Sequence, residues 1–196
     1  MPGRKAEVER KTKETQIRVA LDLDGTGKCD IATGIGFFDH MLTALGKHGL
    51  LDLRISAKGD LEIDPHHTVE DVGIVLGRAL DKALGDKAGI ARFGWAVVPM
   101  DEALVLTSID LSGRGLLCYE VPIEQEKIGA LDTVLIGAFF EAVARNAGMT
   151  LHMRKFSGDD PHHTAEAVFK SFAKALAQAV AVSEKIQGVP STKGVL

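Results

Sequence analysis

A chain of 196 residues with 45% apolar and 26% charged residues has the make-up of an ordinary soluble protein, enough for one large or two small domains. Its net charge of −4 argues against nucleic acid as the main partner, and its first residues, Met1-Pro2-Gly3-Arg4-Lys5, lack the apolar core of a secretory leader. No apolar run approaches the roughly 20 residues of a membrane span, and Cys29 and Cys118, with no CxxC pairing, point to a reducing compartment, so the cytoplasm is the expected location.

In chain order, residues 5–23 alternate. Ile17, Val19, Leu21 and Leu23 point one way and Gln16, Arg18, Ala20 and Asp22 the other, as in a strand with one buried face. Asp24-Gly25 then reads as a hairpin turn. Residues 36–48 carry Phe37, Met41, Leu42 and Leu45 at helical spacing, closed by Gly49 as a C-cap. Residues 50–63 alternate again around Lys58-Gly59-Asp60. Val69, Val72, Val75, Leu76, Ala79, Leu80 and Leu84 then predict a long amphipathic helix ending at Gly85.

The second half repeats this order. Strands are expected at 93–99, 103–111 and 115–123, a helix at about 131–146 capped near Gly148, a strand at 150–156, and a helix through Val168, Phe172, Leu176 and Val180. Gly188 to Gly194 is a polar stretch without a core pattern, read as disordered or as a flap. Strands with helices on one face predict an α+β fold of two pseudo-symmetric two-layer halves, a sheet plus helices each, with the helix layers packed together. The division is 1–92 and 93–187 as repeats, with 188–196 as a flexible tail that closes on a substrate.

The repeat is sharpest in one motif. Asp64-Pro65-His66-His67-Thr68-Val69-Glu70 recurs as Asp160-Pro161-His162-His163-Thr164-Ala165-Glu166, 162 − 66 = 96 positions later. Asp is a good helix N-cap and Pro fits the first helical position. Adjacent residues on a helix diverge by about 100°, so His66 and His67 are expected to aim at two different ions, with Glu70 three residues on beside His67. His162, His163 and Glu166 repeat the arrangement, and two ions drawing on both copies would use all six groups. A polar first turn of an ordinary helix would explain one such pair; the second copy weighs against it. Whether the copies meet within one chain or across subunits is open at this stage.

Imidazoles and carboxylates without thiolates suit a borderline or hard divalent ion, manganese first and iron as the alternative. The zinc-protease pattern HExxH is absent. His40 interrupts the apolar stretch Gly36-Phe37-Phe38-Asp39-His40-Met41 and is a further candidate ligand, against the plainer reading of a surface histidine. His48, before Gly49, reads as structural at a helix C-terminus, and His152 could serve either way. Arg92, Arg114 and Lys193 lie in loops beside Gly and Ser, a setting suited to phosphate oxygens, though each alone is more often solvated charge. Glu14 and the pair Asp101-Glu102 are acid/base candidates. Asp22-Leu23-Asp24-Gly25-Thr26 looks like a phosphatase nucleophile motif, but its strand is amphipathic rather than buried, and Gly34-x-Gly36 is too short for a dinucleotide loop.

Taken together, Thr12-Lys13-Glu14-Thr15, Leu23-Asp24-Gly25-Thr26-Gly27, Phe38-Asp39-His40-Met41-Leu42, the two His-His motifs, Arg92-Phe93-Gly94, Asp101-Glu102-Ala103-Leu104, Asp110-Leu111-Ser112-Gly113-Arg114, Leu151-His152 and Ser191-Thr192-Lys193-Gly194-Val195-Leu196 resemble the imidazoleglycerol-phosphate dehydratase family of histidine biosynthesis. The resemblance covers nearly the whole chain. It implies a duplicated α+β fold, two manganese ions per active site, and trimers assembled into a twenty-four-subunit homo-oligomer with active sites between subunits. It implies conversion of D-erythro-imidazole glycerol phosphate to imidazole acetol phosphate plus water, through an imidazolate held by both metals. By the same resemblance His40, His66, His67, Glu70, His162, His163 and Glu166 fall on metal-ligand positions, Glu14 on a substrate-contacting acid/base position, and Arg92, Arg114, Ser191 and Lys193 on phosphate-binding positions.

Three departures stand out. Many relatives carry His before Phe-Phe in the second half, at a ligand position, where this chain has Ala138-Phe139-Phe140; one site then has one protein ligand fewer. Gly115 replaces a usual Pro beside Arg114, and Asp159-Asp160-Pro161 replaces a loop that often contains Asn. A non-catalytic metal-storage shell is the competing reading. It accounts for the His-His-x-x-Glu pairs but not for Arg92, Arg114 and Lys193.

Overall fold

A computed structural model describes residues 3–196. In chain order the elements are β1 (Lys5–Lys11), β2 (Thr15–Asp22), β3 (Cys29–Ala32), α1 (Gly36–Gly49), β4 (Asp52–Gly59), α2 (His66–Leu84), β5 (Phe93–Met100), β6 (Ala103–Asp110), β7 (Leu116–Glu120), β8 (Lys127–Ile128), β9 (Leu131–Asp132), α3 (Val134–Ala147), β10 (Thr150–Ser157) and α4 (Pro161–Ala179).

The first sheet has strand order β1-β2-β4-β3 and the second β5-β6-β10-β7. In each, the first three strands pair antiparallel, and β3 lies parallel to β4 as β7 does to β10. The halves are therefore the same unit twice. The starts of α1 and α3 differ by 134 − 36 = 98 positions, those of β2 and β6 by 103 − 15 = 88.

Alternation puts Thr15, Ile17, Val19 and Leu21 of β2 on the buried face, where α2 covers them. α4 covers β5 and β6 in the same way, and the helices then meet across the halves, α2 on α3 and α1 on α4. Close approach needs small residues at the crossing. A Cβ on Gly73 would lie 2.7 Å from the carbonyl oxygen of Phe139, and one on Gly77 2.8 Å from that of Val143, so α2 and α3 run side by side in the same direction. Phe38, Phe139, Phe140, Phe169 and Phe172 are fully buried at this seam. Phe139 makes an edge contact with Phe38 at 5.3 Å between centroids and stacks on Phe169 at 5.5 Å.

Several local expectations are corrected. Residues 5–23 are not one strand but a hairpin, β1–β2, turning where Thr12 Oγ1 accepts the N–H groups of Glu14 (3.1 Å) and Thr15 (2.9 Å). The inward parity flips there, from Ala6 and Val8 to Thr15 and Ile17. Asp24-Gly25 is not a hairpin turn. It starts a crossover held by Asp52 Oδ1, which accepts from the backbone of Thr26 (2.7 Å) and Lys28 (3.0 Å), so that β3 joins β4 in parallel. The strand expected over 50–63 is confined to β4, and the helix expected from 131 begins at Val134 because Leu131–Asp132 pairs with Lys127–Ile128. The tail from Gly188 runs through turns, beginning where the N–H of Gly89 donates to the Gly188 carbonyl (2.8 Å).

The end of α1 also differs. Gly49 is the last helical residue, and Leu50 takes the left-handed cap at φ 56°. A side chain in that conformation costs roughly 1–2 kcal/mol, and Leu50 is exposed, so it gains little burial in return. Leu50→Gly is expected to raise stability by up to about 1 kcal/mol once the entropy of an extra glycine is subtracted. A denaturant midpoint at or below that of the wild type would contradict this.

Candidate metal centre

The two His-His motifs open α2 and α4, the helices that cover the sheets. Asp160 caps α4, its Oδ1 accepting the N–H of His163 at 3.0 Å, with Pro161 in the first turn. In α2 the equivalent Asp64 accepts the N–H of His66 at 2.7 Å and sits one residue before Pro65, the residue that precedes the helix. The adjacent histidines diverge. The rings of His66 and His67 stand 6.2 Å apart at 79°, and those of His162 and His163 6.2 Å apart at 81°.

The carboxylates do not sit as expected. Glu70 lies toward His66 (Nε2–Oε2 3.9 Å) rather than His67, and Glu166 toward His162 (3.3 Å) rather than His163. At 3.6 residues per turn, four residues return to within about 40° of the same direction and three miss by about 60°. The first histidine of each pair therefore shares a face with its Glu.

α1 completes one set. His40 Nε2 is 3.4 Å from Glu166 Oε2. His40, His162 and Glu166 each offer a ligand atom within 4.8 Å of the others, the one such group of three among the described residues. Donors bound at about 2.0–2.2 Å to a common ion stand about 3 Å apart at right angles, so two imidazoles and a carboxylate at these separations fit a single divalent cation. Glu166 is largely buried, and Lys170 Nζ lies 2.5 Å from its Oε1. Burial alone would raise its pKa, but the hydrogen bond and charge of Lys170, with the contact to His40, hold the carboxyl below its ordinary value.

His67 and His163 do not join that group. Each is supported through Nδ1 by a carboxylate: His67 by Asp60 Oδ2 at 3.0 Å and His163 by Glu102 Oε2 at 2.8 Å. These hydrogen bonds raise both imidazole pKa values, and His163 with the backbone N–H of Asp160 holds Glu102 down to about 2. A carboxylate on one ring nitrogen fixes the tautomer and presents the other, the usual outer support of a metal-binding imidazole; at His163 that other nitrogen faces Asp101 Oδ2 at 3.5 Å.

Glu14 is exposed at the tip of the β1–β2 hairpin, where its charge helps raise the pKa of His67. Glu102 occupies the same place on β5–β6, since 102 − 88 = 14. Glu102 thus bonds its histidine directly, whereas Glu14 acts on His67 only through its charge.

The loop cations gather elsewhere. Arg92, at a positive φ of 69°, donates to both oxygens of Asp110 (2.7 and 3.2 Å) and to the carbonyl of Pro190 at 2.9 Å. Arg114 reaches toward the same Asp110 at 4.0 Å and is mostly exposed. The chain end folds back on this loop, since a Cβ on Gly113 would meet the Leu196 carbonyl carbon at 2.7 Å. Ser191 Oγ accepts the N–H of Lys193 at 3.2 Å, leaving the Lys193 side chain exposed. Arg92, Arg114, Ser191 and Lys193 thus belong to one tail-and-loop cluster.

Asp60, Lys170 and the support role of Glu102 escaped the motif reading. Lys170 had a signal, its i,i+4 spacing from Glu166. Asp60 had none, because its contact with His67 depends on how the turn after β4 folds.

Comparison with known proteins gives a consistent result. The family model of imidazoleglycerol-phosphate dehydratase matches residues 33–176. Proteins of that name from Acidiphilium cryptum and Desulforamulus reducens are 59% identical over 195 residues and 55% over 196, covering 99% and 100% of this chain and all of their own. A crystal structure of imidazoleglycerol-phosphate dehydratase from Staphylococcus aureus superposes with TM-score 0.83 at 37% identity, over 91% of this chain and 99% of that one. One from Pyrococcus furiosus, in complex with (S)-C348, does so with TM-score 0.84 at 40% identity, over 96% and 100%.

Proposed function

Because the chain belongs to the imidazoleglycerol-phosphate dehydratase family, and is thereby a hydro-lyase of histidine biosynthesis, we propose that it dehydrates D-erythro-imidazole glycerol phosphate to imidazole acetol phosphate with two divalent cations, manganese first and iron as the alternative. The observation that carries the metal dependence is the set His40, His162 and Glu166, three converging donors drawn from both halves. His66 and Glu70 form the matching pair on α2, and His67 and His163, braced by Asp60 and Glu102, complete the two positions across subunits of a homo-oligomer, a twenty-four-subunit assembly of trimers. No helix among the described residues is long and apolar enough to cross a membrane, and the cytoplasm is the proposed location.

When bound, the cations supply Lewis-acid charge that favours loss of a proton from an azole ring. The protein's own groups do the rest. Glu14 takes the proton from the reacting carbon and returns it to the neighbouring hydroxyl, which departs as water, and the resulting enol becomes the ketone. Arg92, Arg114, Ser191 and Lys193 hold the phosphate and fix the reacting end. The tail that bears Lys193 closes over the substrate and excludes water.

Chelator treatment is expected to abolish ketone formation and added manganese to restore it, read by direct assay of the product. Turnover indifferent to chelation would remove the metals from the reaction. Metal retained by a chain that forms no ketone would favour a storage shell.

A further inference from the structure

We propose that the two metal positions are unequal by construction, a preformed three-ligand position at α1–α4 that holds its divalent ion tightly and a two-ligand counterpart at α2–α3 that holds its ion loosely. The inference rests on the metal-dependent reading above and concerns what distinguishes the two positions.

The duplication allows each group to be matched with its counterpart. α1 and α3 both span fourteen residues, offset by 98, and the motifs that open α2 and α4 are offset by 96. The pairings are equivalent in space too. A Cβ on Gly49 would lie 3.5 Å from the Ala173 backbone, and one on Gly77 3.1 Å from that of Ala147, where 49 + 98 = 147 and 173 − 96 = 77. His162 and Glu166 therefore correspond to His66 and Glu70, and the counterpart of His40 is position 40 + 98 = 138. That residue is Ala138, packed against the core with no donor atom.

A second asymmetry comes from a different residue. Lys170 braces Glu166, and its counterpart at 170 − 96 = 74 is Ile74, which cannot. The Glu166 side chain is 12% exposed and lies within 3.4 Å of both imidazoles. Glu70 is 49% exposed and has only His66, at 3.9 Å. One position is thus assembled before the ion arrives. The other lacks an imidazole and must fix an exposed, unbraced carboxylate when the ion binds. His67 and His163 are counterparts of one another, so a ligand from either adds to both positions alike and leaves the difference in place.

The test is manganese titration of the full-length protein stripped of metal, followed by calorimetry, with metal content after dialysis measured by elemental analysis. Two classes of ion per chain are expected, the second weaker by at least about 10–100-fold, the range that a lost supporting group already produces. Ala138→His should tighten the weak class, the remaining gap being that of Lys170 against Ile74, and His40→Ala should remove the tight class while the protein keeps its circular dichroism and assembly size. Two equal tight classes in the unaltered chain, or an Ala138→His protein whose weak class binds no tighter than before, would overturn the inference and leave the metal-dependent reading standing. A chain that binds no manganese at all would overturn both.

Discussion

Glu14→Gln is expected to cut turnover by about 10²–10⁴-fold, the usual share of a general acid or base, with manganese content unchanged. Glu14 sits at the tip of a hairpin whose turn is closed by Thr12 Oγ1 and backbone groups, none of which needs the carboxylate. The substitution therefore leaves the turn intact and removes only the ability to take a proton. Its charge also helps raise the pKa of His67, so the glutamine variant should lower that value slightly. The decisive comparison is turnover against metal stoichiometry in one preparation. A near-normal rate with full metal would move proton transfer to another group, and a parallel loss of metal would make Glu14 a supporting residue rather than the base.

Phe139→Ala is expected to destabilise the fold by about 3–5 kcal/mol, the range for truncating a buried aromatic. Phe139 is fully buried and touches an aromatic ring from each half, Phe38 on α1 and Phe169 on α4. Its own helix is pinned at the same level, where α2 approaches through Gly73. Neither α1 nor α4 can move in to fill the space without disturbing His40 and Glu166, which ride on those helices. Urea denaturation should show a lower midpoint with an unchanged slope. A shift below about 1 kcal/mol would mean that the seam repacks around the lost ring.

The duplication and the amphipathic helices were legible because the signals are local: period two in β2, a helical stripe along α2 and α4, and a seven-residue motif repeated with one change, Val69 to Ala165. The divergence of adjacent histidines followed from helix geometry alone. The placement of each Glu was open to the same geometry, since a four-residue step returns closer to the starting direction than a three-residue one, but the looser rule that counts both as one face paired each Glu with the wrong histidine. The hairpin at Thr12 was hidden by a turn with neither Gly nor Asn, although the flip of parity from Val8 to Thr15 recorded it. The parallel seat of β3, the grip of Asp110 on Arg92 and the brace of Asp60 on His67 join residues far apart in the chain or across an irregular turn, beyond any periodicity. Glu14 was picked out mainly by resemblance; the matched hairpins place it at the position of Glu102, but Glu102 bonds His163 directly while Glu14 acts on His67 only through its charge.

The pairing of α1 with α4 and of α2 with α3 has a consequence for how the chain comes into being. His40 and Glu166 meet across 126 residues of sequence, and the aromatic wedge at Phe139 needs partners from both ends. An emerging polypeptide cannot close this core until α4 has left the ribosome. Such long loops are expensive to close early and slow the search for the native state. The first half must therefore wait with the faces of α1 and α2 that meet α4 and α3 uncovered, a window in which holdase binding or aggregation competes with folding.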